Sequence, residues 1–211
     1  MAKSKPPSRY SGASDEDFQP GSRKTVLKNK LGITSLSKMD DEEIIAYQKA
    51  AEKFANTFAS DHRFTAEDVK AIHTEIFGKL YDWAGEYRNK DLSKDGFMFM
   101  RAIFIAEQME AFSHDILEKH TPAEAGARDQ LTLLLAQIHV ELILIHPFRE
   151  GNGRAIRLLI HLIAQQAGYQ GLDFGFIKET GKEYDRYIAA VQAGLSSNYE
   201  PMREIINRAL F

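Results

Sequence analysis

The chain has 211 residues and not one cysteine. That excludes disulfides and thiolate metal sites, and it fits a reducing cytosol. Long apolar runs are missing too. Stretches such as "LILI" (Leu142–Ile145) and "LLI" (Leu158–Ile160) fall far short of the roughly 20 residues that a membrane-spanning helix needs. The first two dozen residues, "MAKSKPPSRYSGASDEDFQPGSRK", lack the apolar centre of a secretory signal. Charge of one sign is not in excess either. With 27 basic and 30 acidic residues the net charge is -3, which gives no support for a nucleic-acid partner. These absences predict a cytoplasmic protein with neither membrane nor nucleic acid as partner, and any anion-binding patch must be local.

What is present is helical. Hydrophobic content is 44% and charged content 27%, as expected of one globular domain with a sizeable core. Residues 1–24 are rich in Ser, Pro, Gly and charge and read as a mobile arm, leaving 25–211 as the domain. The stretch "DDEEIIAYQKAAEKFANTFA" predicts a helix with acids in its first turn and an apolar face of Ile44, Tyr47, Ala51, Phe54 and Phe58. "TAEDVKAIHTEIFGKLY" predicts a second, with Thr65 as N-cap. "RAIFIAEQMEAFSHDILEKH" reads as one further helix, and "RDQLTLLLAQIHVELILI" as a central, buried one that Pro147 ends near His146. Helices then follow from about Gly153 to Gly168, around "KEYDRYIAAVQAGL" and around "PMREIINRAL". "GEYRNKDLSKDGFMFMR" breaks the pattern: its Lys-Asp-Gly turn fits a small hairpin, with a connecting loop as the alternative. The fold class predicted is mainly α.

Chemistry concentrates between the two apolar runs of "ILIHPFREGNGRAIRLLIHLI". Asn152 stands where an N-cap belongs. The first N–H groups of a helix are unpaired and carry its positive end, and Gly151 and Gly153 let a ligand approach that backbone. Arg154 and Arg157 share a face in the first turns, where cations oppose the dipole unless an anion docks. Glu150 would repel phosphates, a conflict that a bridging Mg²⁺ resolves; a salt bridge to Arg149 or Arg154 is the plainer alternative. His146 lies beside this site with a near-neutral ordinary pKa, suited to take a proton from an attacking hydroxyl. A metal held by His139, His146 and His161 is disfavoured, because no recognised ligand set appears. P-loop and Rossmann glycine patterns are absent as well.

"HPFREGNGRAIR", His146 to Arg157, resembles the signature H-P-F-x-[DE]-G-N-G-R-x-x-R of the Fic family. "LKNKLGI", "WAGEYR" and "KDGFMF" look like further landmarks of that family, extending the likeness over roughly residues 25–210. The resemblance implies a helical Fic-type domain with a small hairpin flap that transfers AMP from ATP, with Mg²⁺, to a Ser, Thr or Tyr hydroxyl of a protein. His146 would be the general base, Phe148 a buried anchor and Glu150 the metal holder. Gly151, Asn152 and Gly153 would line the anion hole, with Arg154 and Arg157 on the outer phosphates. Lys94 would join the nucleotide contacts, and Lys94, Asp95, Gly96, Phe97, Met98 and Phe99 would form the flap that aligns the target. Transfer of another phosphate-bearing group, or nucleotide sensing without catalysis, are the alternatives. Family members are often restrained by a helix carrying [ST]-x-x-x-E-[GN]. The nearest match, Ser196 to Pro201, ends in proline and reads as an ordinary helix start. Without an inhibitor of its own, the chain is expected to need a small antitoxin partner, in keeping with a bacterial toxin.

Overall fold

A computed structural model describes residues 17–124, 128–178 and 180–211. The first sixteen residues of the expected arm lie outside the described residues. Its remainder, 17–24, does not hang in solvent: Phe18 is buried and bridges Leu27, and the Gln19 N–H donates to the Val26 carbonyl at 2.9 Å.

The helix α1 spans Leu36–Ala55, with Ser35 as its N-cap. Its start lies earlier than the acids predict, so Asp40–Glu43 fall beyond the first turn. The buried face is Met39, Glu43, Ala50 and Phe54, while Ile44 is exposed. Of the face read from the sequence, Tyr47, Ala51, Phe54 and Phe58 do pack against the core, and only Ile44 turns outward, its inward place being taken by the Glu43 carboxylate. Helix α2, Ala66–Phe77, starts on a capping box of Thr65 and Asp68, as its sequence predicts. A hairpin of β1, Ser93–Lys94, and β2, Phe97–Met98, follows. Asp95 and Gly96 both take positive φ at its turn, the geometry that Asp-Gly pairs favour.

The single helix expected from Arg101 to His120 is divided. A 3₁₀ turn leads into α3, Ile105–Phe112, then a π-helical turn at Ser113–Leu117 and the short α4, Glu118–His120. The Ser113 hydroxyl accepts the Ala66 N–H at 2.9 Å, tying this irregular turn to the start of α2.

Helix α5, Arg128–Ile145, runs through the centre and is buried along most of its length. It packs against α6, Asn152–Gln166, and α8, Glu200–Ala209, while α2 lies on α1 and α6. Helix α7, Lys182–Ala193, packs beside α8. Gly168 stops α6 with φ of 87°. The chain end returns to that corner, where Phe211 and Gly171 exchange backbone bonds. No described helix is long and apolar enough to cross a membrane.

Candidate active site around the α5–α6 loop

Pro147 cannot continue α5, and the chain leaves it through His146, held at φ of 52°. This uncommon conformation turns the imidazole back under the flap. The ring is buried and stacks on Phe99 at 3.8 Å. Its Nδ1 lies 3.2 Å from the Ile143 carbonyl, which can only accept, so the proton sits on Nδ1 and the lone pair on Nε2. Burial above all, with Arg88 and Lys94 nearby, lowers its pKa to about 3. The ring is therefore neutral at physiological pH and able to receive a proton.

The loop after it is held from three sides. Asn152 is not the N-cap: Gly151 takes that place at φ of 81°. The buried Asn152 side chain faces backwards, accepting the Phe148 N–H at 2.9 Å and donating to the Phe148 carbonyl at 2.8 Å. Its side-chain amide braces the loop. Phe148 stacks on His73 of α2 at 3.8 Å, agreeing with its anchor role. His73 donates from Nε2 to the Glu150 carbonyl and accepts the Gly85 N–H at Nδ1, each at 2.9 Å. Burial holds it neutral, with a pKa lowered to about 4. On the third side, Arg88 donates to four carbonyls: His146 at 2.8 Å, Lys90 at 2.7 Å, Ile145 at 3.3 Å, and Met100. It thereby satisfies the carbonyl end of α5 and joins it to the flap. Sequence reasoning did not assign roles to His73 or Arg88. The only signal was the "WAGEYR" landmark containing Arg88.

At the start of α6, Arg154 and Ala155 donate back to the Gly151 carbonyl, each at 3.1 Å. The N–H groups of Asn152 and Gly153 have no acceptor among the described residues. A side chain at Gly153 would meet nothing within 4 Å, so glycine there serves no packing need and leaves the helix end open. At Gly151 packing does decide: a Cβ would come within 2.3 Å of the Phe77 ring. The Glu150 carboxylate accepts the Gly151 N–H at 3.0 Å and lies 3.9 Å from Arg154. Arg149, the alternative partner, pairs with Asp17 instead.

The two motif arginines part company. Arg154 lies over Phe77 at 4.7 Å and pairs with Glu43 of α1. Arg157 sits against Phe174 and Tyr187, 5.1 and 5.9 Å from their ring centres. The Tyr187 hydroxyl in turn meets His139 Nε2 at 2.8 Å. The three histidines weighed as a metal set are engaged separately, since His161 accepts the Leu172 N–H at 3.2 Å. Among the described residues no group of three His, Asp or Glu side chains could hold a metal.

The hairpin sits over His146. Lys94 Nζ donates to the Tyr184 hydroxyl of α7 at 3.1 Å, and Met98 is 66% exposed. Phe99, expected among the target-docking residues, lies just beyond β2 and stacks on His146. Glu200, at the start of α8, pairs with Arg203 at 2.9 Å and is an ordinary first-turn acid with Pro201 behind it.

The Fic/DOC family model matches residues 63–164. Protein adenylyltransferase VbhT of Bartonella schoenbuchensis is 30% identical over 165 residues, which cover 76% of this chain and 33% of that protein. The chain thus spans about a third of that relative. The "Probable protein adenylyltransferase Fic" of Salmonella typhimurium is 27% identical over 185 residues, covering 88% of each chain. The crystal structure of the BepC effector of Bartonella tribocorum, with bound AMPPNP, shares the fold at a TM-score of 0.70 and 24% identity. That match covers 89% of this chain and 93% of the other. Residues 63–164, the helical stretch built around His146–Arg157, are what this chain shares with the Fic/DOC family.

Proposed function

We propose that the chain is an ATP-dependent protein adenylyltransferase that moves AMP onto a Ser, Thr or Tyr hydroxyl of a target protein. One observation carries this: a neutral histidine with its lone pair on Nε2 stands one short loop from a helix end with two uncommitted N–H groups. A base and an anion site lie side by side, as transfer of a phosphorus group to a hydroxyl requires. The names of the VbhT and Salmonella relatives support the same reaction.

On this reading the target hydroxyl gives its proton to His146 Nε2 while its oxygen bonds the α-phosphorus, and the bond to pyrophosphate breaks. A pKa of about 3 makes the ring a weak base in the free chain; nearby phosphate charge raises it as substrate binds. The N–H groups of Asn152 and Gly153 face the α- and β-phosphates, and Arg154 and Arg157 bear on the leaving pyrophosphate. Glu150 would hold Mg²⁺, since one carboxylate together with substrate phosphates is a usual setting for that ion, which offsets phosphate charge when bound. Lys94 contributes to the nucleotide pocket from the flap, and residues 94–99 align the target. Because Glu200 is engaged with Arg203, we assign restraint to a separate small antitoxin. Action in a reducing cytosol, of the producing cell or of a host, suits a cysteine-free chain.

The decisive experiment supplies ATP labelled at either the α- or the γ-phosphate, with Mg²⁺ and a lysate. Label from the α position alone should reach a protein band. Transfer of the γ label would replace this reading by phosphoryl transfer, and no transfer with intact ATP binding would favour a sensing module. Glu200→Gly should leave auto-modification unchanged; a sharp rise would place the restraint in this chain.

A further inference from the structure

Helix α1 lies outside the stretch matched by the family model, yet it sends one carboxylate into the site. Glu43 occupies an inward position between Met39 and Ala50 and is 8% exposed. Both its oxygens are committed. Oε1 accepts the Tyr81 hydroxyl at 2.6 Å, and Oε2 pairs with Arg154 Nη1. Burial, with the Glu43 charge second, raises the Tyr81 pKa, so the phenol stays a donor. The Phe77 ring supports the guanidinium from one face, and Nη2 is directed toward Glu150.

We propose that Glu43, backed by Tyr81, is a positioning residue for Arg154. It grips one edge of the guanidinium so that the remaining N–H groups meet the outer phosphates at the start of α6. This rests on reading that helix end as the phosphate site. Two physical points favour positioning over competition with the nucleotide. First, a near-buried carboxylate bonded at both oxygens cannot swing away without leaving an unsatisfied buried charge. Second, a guanidinium has five donors in a rigid fork, so one edge can hold a carboxylate while the others take phosphate. Glu43 also offsets a cation placed at the wrong end of the helix dipole, so Arg154 can wait there in the absence of nucleotide.

The test compares wild type with Glu43→Gln, Tyr81→Phe, Arg154→Ala and the Glu43→Gln/Arg154→Ala double variant. Binding of a non-hydrolysable ATP analogue and of AMP is measured by calorimetry, AMP transfer by kcat, and folding by thermal melting. Glu43→Gln should weaken the analogue about tenfold and lower kcat about 10–100-fold while AMP binding stays within about twofold. In the Arg154→Ala background it should add less than about threefold. Tyr81→Phe should give a smaller loss of the same kind. Equal losses for the analogue and AMP, additivity in the double variant, or tighter analogue binding with faster transfer would each overturn the proposal. If Glu43→Gln does not fold, Tyr81→Phe decides, and an unchanged analogue affinity there overturns it. Analogue binding does not depend on transfer. A wild type that binds ATP but transfers nothing would therefore end the adenylyltransferase reading and leave this test intact.

Discussion

The α5–α6 loop and the flap face each other across one histidine, and they are built on opposite principles. The loop is over-determined. Arg88, His73 and Asn152 fasten it from the flap side, from α2 and from within. The flap is two residue pairs and a tight turn, held down by the Lys94–Tyr184 bond and the Phe99 stack, with Met98 facing solvent. Chemistry tolerates little displacement of its groups, whereas recognition of a partner tolerates a surface that varies. The contrast predicts that damage to the loop costs rate or fold, and damage to the exposed tip of the flap at Met98 costs only target choice.

The largest effect should come from the loop's first residue. His146→Ala should lower AMP transfer by about 10²–10⁴-fold. ATP binding by calorimetry should stay near wild type, since no role on the phosphates is assigned to the ring. Equal transfer rates in both proteins would remove the base from the reaction.

Next in size is Arg88→Ala, which strips four carbonyls of their donor in a buried setting. A loss of about 3 kcal/mol is expected, or roughly 10 °C in melting temperature for a domain of this size. A shift of a degree or two would mean that the loop is held by packing alone.

Acid should act through the buried histidines. His146 and His139 have folded pKa values lowered to about 3, and His73 to about 4, in each case chiefly by burial. All three are neutral when folded but take up protons when unfolded below about 6.5. Folded stability is therefore complete above that pH and falls as pH drops from about 6.5 toward 4, by up to about 1.4 kcal/mol per unit for each histidine. Denaturant midpoints measured from pH 8 to 4 check this. The same shift removes the ordinary histidine limb from the activity profile of the free enzyme, so kcat/KM should not drop with a midpoint near 6.5.

The smallest effect on the fold should come from the flap. Met98→Ala should change stability by no more than about 0.5 kcal/mol. It should raise KM for the protein target severalfold while leaving ATP binding unchanged. An equal fall in kcat with no change in target KM would mean that the flap also shapes the chemistry.

The division between loop and flap also separates what could be read in the sequence from what could not. The motif is contiguous, so Pro147 and Gly151 announce a helix break, and the paired arginines carry the proposed anion site, by local rules. The Asp-Gly turn of the flap was legible for the same reason. Partners distant along the chain were not. Nothing near His73 says that it will cap the Glu150 carbonyl, and Glu43 reads as one more acid in "DDEE". Its inward position replaces Ile44 at the start of the face that Tyr47, Ala51 and Phe54 continue, since apolar spacing gives no weight to a carboxylate. Asn152 fits an N-cap by residue type, but the left-handed Gly151 had already taken that place. The π turn at Ser113–Leu117 depends on the Ser113–Ala66 bond, a contact that periodicity cannot register.

Trp83 is the chain's one tryptophan, stacked on Tyr81 at 4.5 Å and 5.9 Å from His73. Tyr81 holds Glu43 and His73 holds Glu150, so the indole lies against both supports of the proposed phosphate site. Intrinsic fluorescence excited at the red edge of the protein band then comes from a single emitter in that place. Its intensity and emission colour should change as nucleotide fills the site, giving an unlabelled optical titration of binding in the native protein.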